Sequence, residues 1–506
     1  MQALHNNRVW IGLLAALLLT VIGLIVFVQA GGLRRQGQAP APDYWPTEGW
    51  RSTSPEEQGF SSTALAAGLR GLQANNTPID SLLIIRDGYV VLDASFEPYD
   101  GSFPHDLASM TKSVMTTLIG IAVDQGRLRL DQPMLSFFPD RVITNLDTRK
   151  DRITIQDLVS MVNGMESGCF DEDEPTLDAM RSNTDWVQAA LDRKMTWEPG
   201  SKFCYDSPGM HILSAILQES TGMTAADFAR LYLFEPLGIH DYVWESDPQG
   251  YTHGWGDLHL KPGDAAKLGY LWLNHGFWEG RQIVSESWVI NSVQAVRKLV
   301  GNEFGYGYGW WISPIDYYAL GRGGQFVRVI PARNVIVVAT GGNYDFGQVE
   351  DFLIPSLLGL KETRPADPSG QADLESVLAE VSQEPEPYPQ AVLPGTARAI
   401  SGQVYGCEPN PAGVESLRFE FSGDKTGTLY LQQYGMKAAW PAGLDGSYRL
   451  SAQGQAQRGY WEDEKTFSLE IFDIGVVVRR FIFEGDQLQV VVPEIPITVQ
   501  CQVQNP

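Results

Sequence analysis

Ser109-Met110-Thr111-Lys112 sets a hydroxyl and an amine three residues apart, and such a pair can do nucleophilic chemistry. Side chains at that spacing share one face of a helix. A serine hydroxyl is a poor nucleophile until a base takes its proton, and a buried lysine amine can be that base. The stretch Ser113 to Gln125 is apolar on nearly every face and runs into Gly126, a residue type suited to helix ends. A helix apolar all round is a buried helix. The pair is therefore expected at the mouth of a buried helix, whose free N–H groups favour negative charge developing nearby. A second copy of the pattern, Ser422-Gly423-Asp424-Lys425, lies between the strand-like runs Leu417–Phe421 and Leu429–Gln432. It reads as a hairpin turn and a chance match.

Two other segments carry chemistry. Tyr205 and Ser207 sit in Phe203-Cys204-Tyr205-Asp206-Ser207-Pro208-Gly209, just ahead of a helix. A tyrosine beside an amine can shuttle protons; packing of its ring is the plainer alternative. Leu320-Gly321-Arg322-Gly323-Gly324-Gln325 lies at a strand edge. Its glycines would let a substrate approach the backbone, where an N–H could serve as oxyanion donor; a β-bulge is the structural alternative. His253 and His259, in Thr-His-Gly-Trp-Gly-Asp-Leu-His, are read as loop histidines, with a metal site as the alternative; no metal or cofactor is expected. Trp310 and Trp311 are assigned to sheet packing, with a pocket wall as the alternative.

These residues need elements to hold them. Ser54-Pro55-Glu56-Glu57 resembles a capped helix start before a helix over Ala64–Gln73. Ser81–Ile85 and Tyr89–Ala94 flank Asp87-Gly88, a strong hairpin signal. From Ser109 to about Val300 the spacing is mostly helical, with helices predicted over Ile155–Val162, Asp185–Leu191, Pro208–Ser220 and Thr224–Leu233. Strands return at Tyr317–Leu320, Phe326–Ile330 and Val335–Thr340, and a helix follows at Val349–Leu358. Strands at both ends with helices between imply an α+β domain: one antiparallel sheet closed by the two extremities, a helical cluster beside it, and the Ser109 helix between. Residues 37–360 form this domain, and 361–396, rich in proline and acid, reads as a linker. Residues 397–506 show short alternating strands that close as an antiparallel barrel or sandwich.

The order Ser-x-x-Lys, then a tyrosine loop, then a glycine-rich strand resembles the serine β-lactamase and penicillin-binding-protein superfamily, most closely its class C-like members of the esterase and 6-aminohexanoate-dimer hydrolase type. Ser109–Gly126, Ile153–Leu158, Glu198–Ser201, Lys261–Leu273 and Tyr306–Trp311 carry the likeness further. The resemblance implies a β-lactamase/transpeptidase-like fold and an acyl-enzyme on Ser109. It implies Lys112 as base, Tyr205 as proton shuttle, and the N–H groups of Ser109 and of a residue near Gln325 as oxyanion donors. Ser207 stands where β-lactamases carry asparagine, and Arg322 replaces lysine or histidine, keeping a cation that cannot act as a base. With Gly323 and Gly324 these complete the implied substrate-binding set. An ester, amide, peptide or lactam is the expected small-molecule substrate. A non-turnover penicillin- or peptidoglycan-binding sensor is the alternative.

The chain has 506 residues and a net charge of −24, which disfavours nucleic acid as a partner. Trp10 to Val28 is almost wholly apolar, so residues 1–36 read as an uncleaved membrane anchor, with a removable signal segment as the alternative. Cys169 and Cys204 bracket an acidic loop, and Cys407 and Cys501 sit near the ends of the β-rich segment. Two local pairs would suit an oxidising compartment outside the cytoplasm; four buried thiols are the alternative.

Overall fold

The computed structural model describes residues 42–504 apart from 98, 170–173, 295–296, 299–303, 343, 345, 384–392, 424, 434, 453–454 and 493–496. A nine-stranded sheet forms the spine, in the order Arg51–Ser52, Tyr89–Ser95, Ile79–Arg86, Val335–Gly341, Phe326–Ile330, Tyr317–Leu320, Trp311–Ile312, Gly305–Tyr306, Arg297–Lys298. Every pairing is antiparallel except that of Arg51–Ser52. Ile79–Arg86 and Val335–Gly341, one from each extremity, are neighbours in this sheet and are mostly aliphatic because both of their faces are covered. Helices Ser62–Ala74, Phe346–Leu358 and Pro368–Val381 pack on one face. On the other lies helix Pro262–Leu273, so close that a Cβ on Gly269 would stand 2.7 Å from Val327.

Beyond that helix comes the helical cluster, with helix Thr111–Asp124 at its centre. Every side chain from Thr111 to Ala122 is buried, which accounts for a sequence apolar all round. The layout matches the expected α+β architecture. Local chemistry also matches in places: Thr154 and Asp157 form a capping box, and helix Ser207–Thr221 ends at Gly222 in the left-handed conformation.

Two expectations need correction. Ser54–Glu57 forms a turn, not a helix start; the helix begins at Ser62, where the Ser61 side chain accepts the Ala64 N–H. Glu56 is buried there and accepts hydrogen bonds from Ser62 N and Oγ, both at 2.8 Å. Nor is 361–396 free chain throughout. Pro368–Val381 is a helix that buries Leu374, Val377 and Val381 against the sheet domain, with Arg70 and Asp373 ion-paired at 2.6 Å. Its proline occupies the first turn and its acids the outer face, so composition alone imitates a tether.

The C-terminal strands form a closed barrel. Nine strands run from Met436–Gly443 round to Ala456–Trp461, and the pair Gly443–Arg458 closes the ring. Edge-to-face contacts of Phe419 with Phe467, Phe481 and Phe483 fill its core. Ser422 lies between Val414–Phe421 and Thr426–Gln433, which pair antiparallel, so the second Ser-x-x-Lys copy falls at the connection of a hairpin. Both disulfides form as local pairs: Cys169–Cys204, and Cys407–Cys501 across neighbouring strands. Among the described residues no helix is long and apolar enough to cross a membrane; the run Trp10–Val28 lies outside them.

Candidate active site

Ser109 sits in a 3-10 turn, Ala108–Met110, that feeds directly into helix Thr111–Asp124. Ala108 is held at φ 47°, a costly conformation for a residue with a Cβ, and its N–H donates to Asp106 at 2.8 Å. The turn leaves Ser109 partly exposed while Lys112 is buried. Lys112 Nζ lies 2.7 Å from Ser109 Oγ and 2.9 Å from the Trp255 carbonyl. The amine is fixed at its tip by two oxygens, one of them the expected nucleophile.

Tyr205 completes a three-residue group. Lys112 Nζ stands 4.8 Å from the centre of its ring, and the ring stacks on Trp311 at 5.9 Å and meets Tyr306 edge-on. The two tryptophans thus divide: Trp311 faces Tyr205, while Trp310 is buried against Trp272. The loop before Tyr205 is tied down by the Cys169–Cys204 disulfide and by a hydrogen bond from Ser167 Oγ to the Tyr205 carbonyl. Behind it Asp206 accepts a forked pair from Arg193, at 2.5 and 3.1 Å, and a bond from Asn163 at 2.7 Å. Ser207 opens the next helix with its hydroxyl buried and, among the described residues, without a hydrogen-bond partner.

The glycine-rich segment lies against the residues that precede Ser109. A Cβ on Gly321 would stand 2.4 Å from the Leu107 carbonyl and 3.2 Å from Ala108 Cβ. Gly324 is closed in the same way by Tyr344, whose hydroxyl donates to the Gly324 carbonyl. The Gln325 amide is spent on the backbone of Gly341, donating to its carbonyl at 2.6 Å and accepting its N–H at 2.8 Å. Arg322 is exposed beside them. The glycines were expected to leave room for a substrate; their Cβ sides instead face protein atoms.

The sequence carried no signal for Trp255, because the group that meets Lys112 is a backbone carbonyl. Its loop is stiffened by His253, which stacks on the Trp255 ring at 4.5 Å and bonds through Nδ1 to Asp257 at 2.7 Å. Burial works to raise the Asp257 carboxyl, but His253 outweighs it and holds the pKa below the ordinary value. Burial, then Asp257, raises that of Glu245. Glu245, His253 and Asp257 bring potential metal-ligand atoms within 4.8 Å of one another. A cavity of about 620 Å³ lies elsewhere, between Trp50, Asp93, Asp100, Lys261 and Asp264, and its walls include none of the residues around Ser109.

The strand entering the Ser109 turn holds a titrating group. His105 is buried, its Nε2 2.9 Å from Asp80 Oδ2 and its Nδ1 2.8 Å from the Asp106 carbonyl. Burial alone would lower its pKa, but Asp80 and Asp106 outweigh that and raise it. Both partners accept hydrogen bonds, so the doubly protonated ring satisfies both. A raised folded-state pKa gives stability fully present below the unfolded value, about 6.5, and lost as pH rises through the folded value. The melting temperature is therefore expected to fall from pH 6 toward 9, and Asp80→Asn to flatten that slope. An unchanged slope in Asp80→Asn would remove His105 as its source.

The beta-lactamase family model matches residues 65–345, more than half of the chain. The chain belongs to the beta-lactamase family. Within this family it is 25% identical over 255 residues to 6-aminohexanoate-dimer hydrolase of Paenarthrobacter ureafaciens, covering 47% of this chain and 63% of that protein. It is 25% identical over 279 residues to penicillin-binding protein 4 of Amycolatopsis lactamdurans, covering 46% and 71%. Among solved structures, the "Putative 6-aminohexanoate-dimer hydrolase from Bacillus anthracis" superposes with a TM-score of 0.52 at 19% identity, over 63% of this chain and 87% of that one. The matched region holds Ser109, Lys112, Tyr205 and the glycine-rich segment, and the barrel lies outside it.

Proposed function

We propose that this beta-lactamase-family chain is a serine hydrolase that cleaves a small ester or amide through an acyl-enzyme on Ser109. The observation that carries the reading is the 2.7 Å bond between Lys112 Nζ and the partly exposed Ser109 Oγ. Ser109 Oγ bonds to the carbonyl carbon as Lys112 takes its proton. The bond to the leaving alcohol or amine then breaks, and that group receives the proton by way of Tyr205, whose ring lies against the amine. Water next attacks the ester on Ser109, frees the acid and restores the hydroxyl. The first N–H groups of a helical start have no acceptor within the helix, which supports the Ser109 N–H as one oxyanion donor. The segment ending at Gln325 lies against Leu107 and Ala108, which supports a second donor there. Arg322, exposed on that segment, suits a substrate carboxylate.

Two disulfides fit an oxidising compartment, and the apolar run Trp10–Val28 would tether the enzyme to a membrane facing it. A labelled fluorophosphonate and a labelled penicillin, offered to the full chain and to Ser109→Ala, test the reading. The expected result is a covalent adduct on the wild type and none on the variant; equal labelling of both rejects Ser109. Repeated turnover of an ester, amide or D-alanyl peptide separates the hydrolase from a sensor that is acylated once and holds the adduct.

A further inference from the structure

The barrel reaches the site through one hairpin. Strands Thr466–Asp473 and Gly475–Glu484 pair directly at Asp473 and Gly475, leaving Ile474 alone at the tip. Tight turns are ordinarily built from glycine, asparagine, aspartate, proline or serine. An aliphatic residue gains nothing there unless something covers it. Ile474 is half-buried, and what covers it is Gly323: a Cβ on that glycine would stand 2.1 Å from Ile474 Cγ2. Gly323 has φ 82° and lies two residues after Gly321, which touches Leu107 and Ala108 beside the nucleophile.

The hairpin is firmly held. Phe472 is buried between Tyr99, Phe103 and His105, with ring centres 5.4 to 5.7 Å away, and Tyr448 of the barrel closes the same cluster. Arg458 bridges the two domains, 3.5 Å from Glu97 and 2.5 Å from Glu470. His105 stands four residues before Ser109, so the anchor and the nucleophile share one short segment of chain.

We infer that Ile474 is a specificity-determining residue: the barrel uses it to narrow the cleft beside Gly323, admitting compact apolar groups there and excluding long ones. This rests on the serine-hydrolase reading of Ser109. The position explains why an isoleucine occupies a turn tip and why residue 323 has no side chain. Both are needed for the hairpin to lie flat on the glycine-rich segment. On this inference a substrate group that reaches the edge of Gly323 meets one aliphatic side chain from a separate domain.

Alkyl fluorophosphonates of increasing chain length, from ethyl to decyl, test this on the full chain. In each, the bond from Ser109 Oγ to phosphorus forms, the P–F bond breaks, fluoride leaves and the hydroxyl proton passes to Lys112. Ile474→Ala should raise the ratio of decyl to ethyl labelling rates about tenfold, the scale at which pockets discriminate by a few methylenes. Ile474→Trp should lower that ratio. The melting temperature of each variant reports whether the hairpin stays docked. A ratio unchanged in both variants overturns the role of Ile474 while leaving Ser109 as nucleophile. No labelling of the wild type by any probe overturns the underlying reading instead.

Discussion

Lys112→Met is expected to slow acylation of Ser109 by roughly 10² to 10⁴-fold, the usual contribution of a positioned proton acceptor. The same change should leave stability within about 1 kcal/mol of wild type. Methionine fills nearly the volume of the lysine stem, and the surrounding helix is buried against apolar neighbours. What disappears is the amine between Ser109 Oγ and the Trp255 carbonyl. Leaving that carbonyl without a donor is unfavourable, but the cost of holding a polar amine in the interior also vanishes. The pairing of lost activity with kept stability is the signature of a residue retained for chemistry. Lys112→Arg should not restore the rate, because a guanidinium does not surrender its proton. Small alkylamines added to Lys112→Ala should restore part of it. Labelling of Lys112→Met within threefold of wild type would remove Lys112 as the proton acceptor.

How much of this was legible in the sequence depends on the range of each interaction. Ser109 and Lys112 are local: three residues on one helix face fix their relation before any tertiary contact forms, and the apolar run that follows places them at a buried helix. The central strands were equally readable, since Ile79–Arg86 and Val335–Gly341 are buried along almost their whole length and carry few polar residues. Tyr205 was found through its order in the chain relative to Ser109, a resemblance and not a physical derivation. The glycines of 321–324 were noticed for the right reason, close approach of the backbone, but the approaching atoms belong to Leu107, Ile474 and Tyr344. Only tertiary contacts supply those partners. Trp255 was invisible because a carbonyl has no sequence signature, and the helix Pro368–Val381 was hidden by a composition that linkers and helix starts share.

The pairing of Arg193 with Asp206 was also beyond sequence, because their short separation in the chain says nothing of burial. Both side chains are buried, at 7% and 2% exposure. Arg193 donates two bonds to the Asp206 carboxylate and others to the carbonyls of Ala190 and Glu166. Removing one partner of such a pair strands the other charge in the interior. Arg193→Met is therefore expected to cost about 3–5 kcal/mol. Asp206 immediately follows Tyr205, so the loop that sets the tyrosine ring against Lys112 should loosen as well. Turnover is expected to fall further than the loss of folded protein explains. The double variant Arg193→Met/Asp206→Asn should recover part of the stability, since the amide is neutral and Asn163 remains near it. Urea unfolding of the wild type, Arg193→Met, Asp206→Asn and the double variant, with labelling rates measured on folded material, gives both numbers. A cost below about 1 kcal/mol for Arg193→Met would mean that water, and not the paired charge, satisfies Asp206. The position of Tyr205 would then rest on the Cys169–Cys204 disulfide and the Ser167 hydroxyl, the other two ties on that loop.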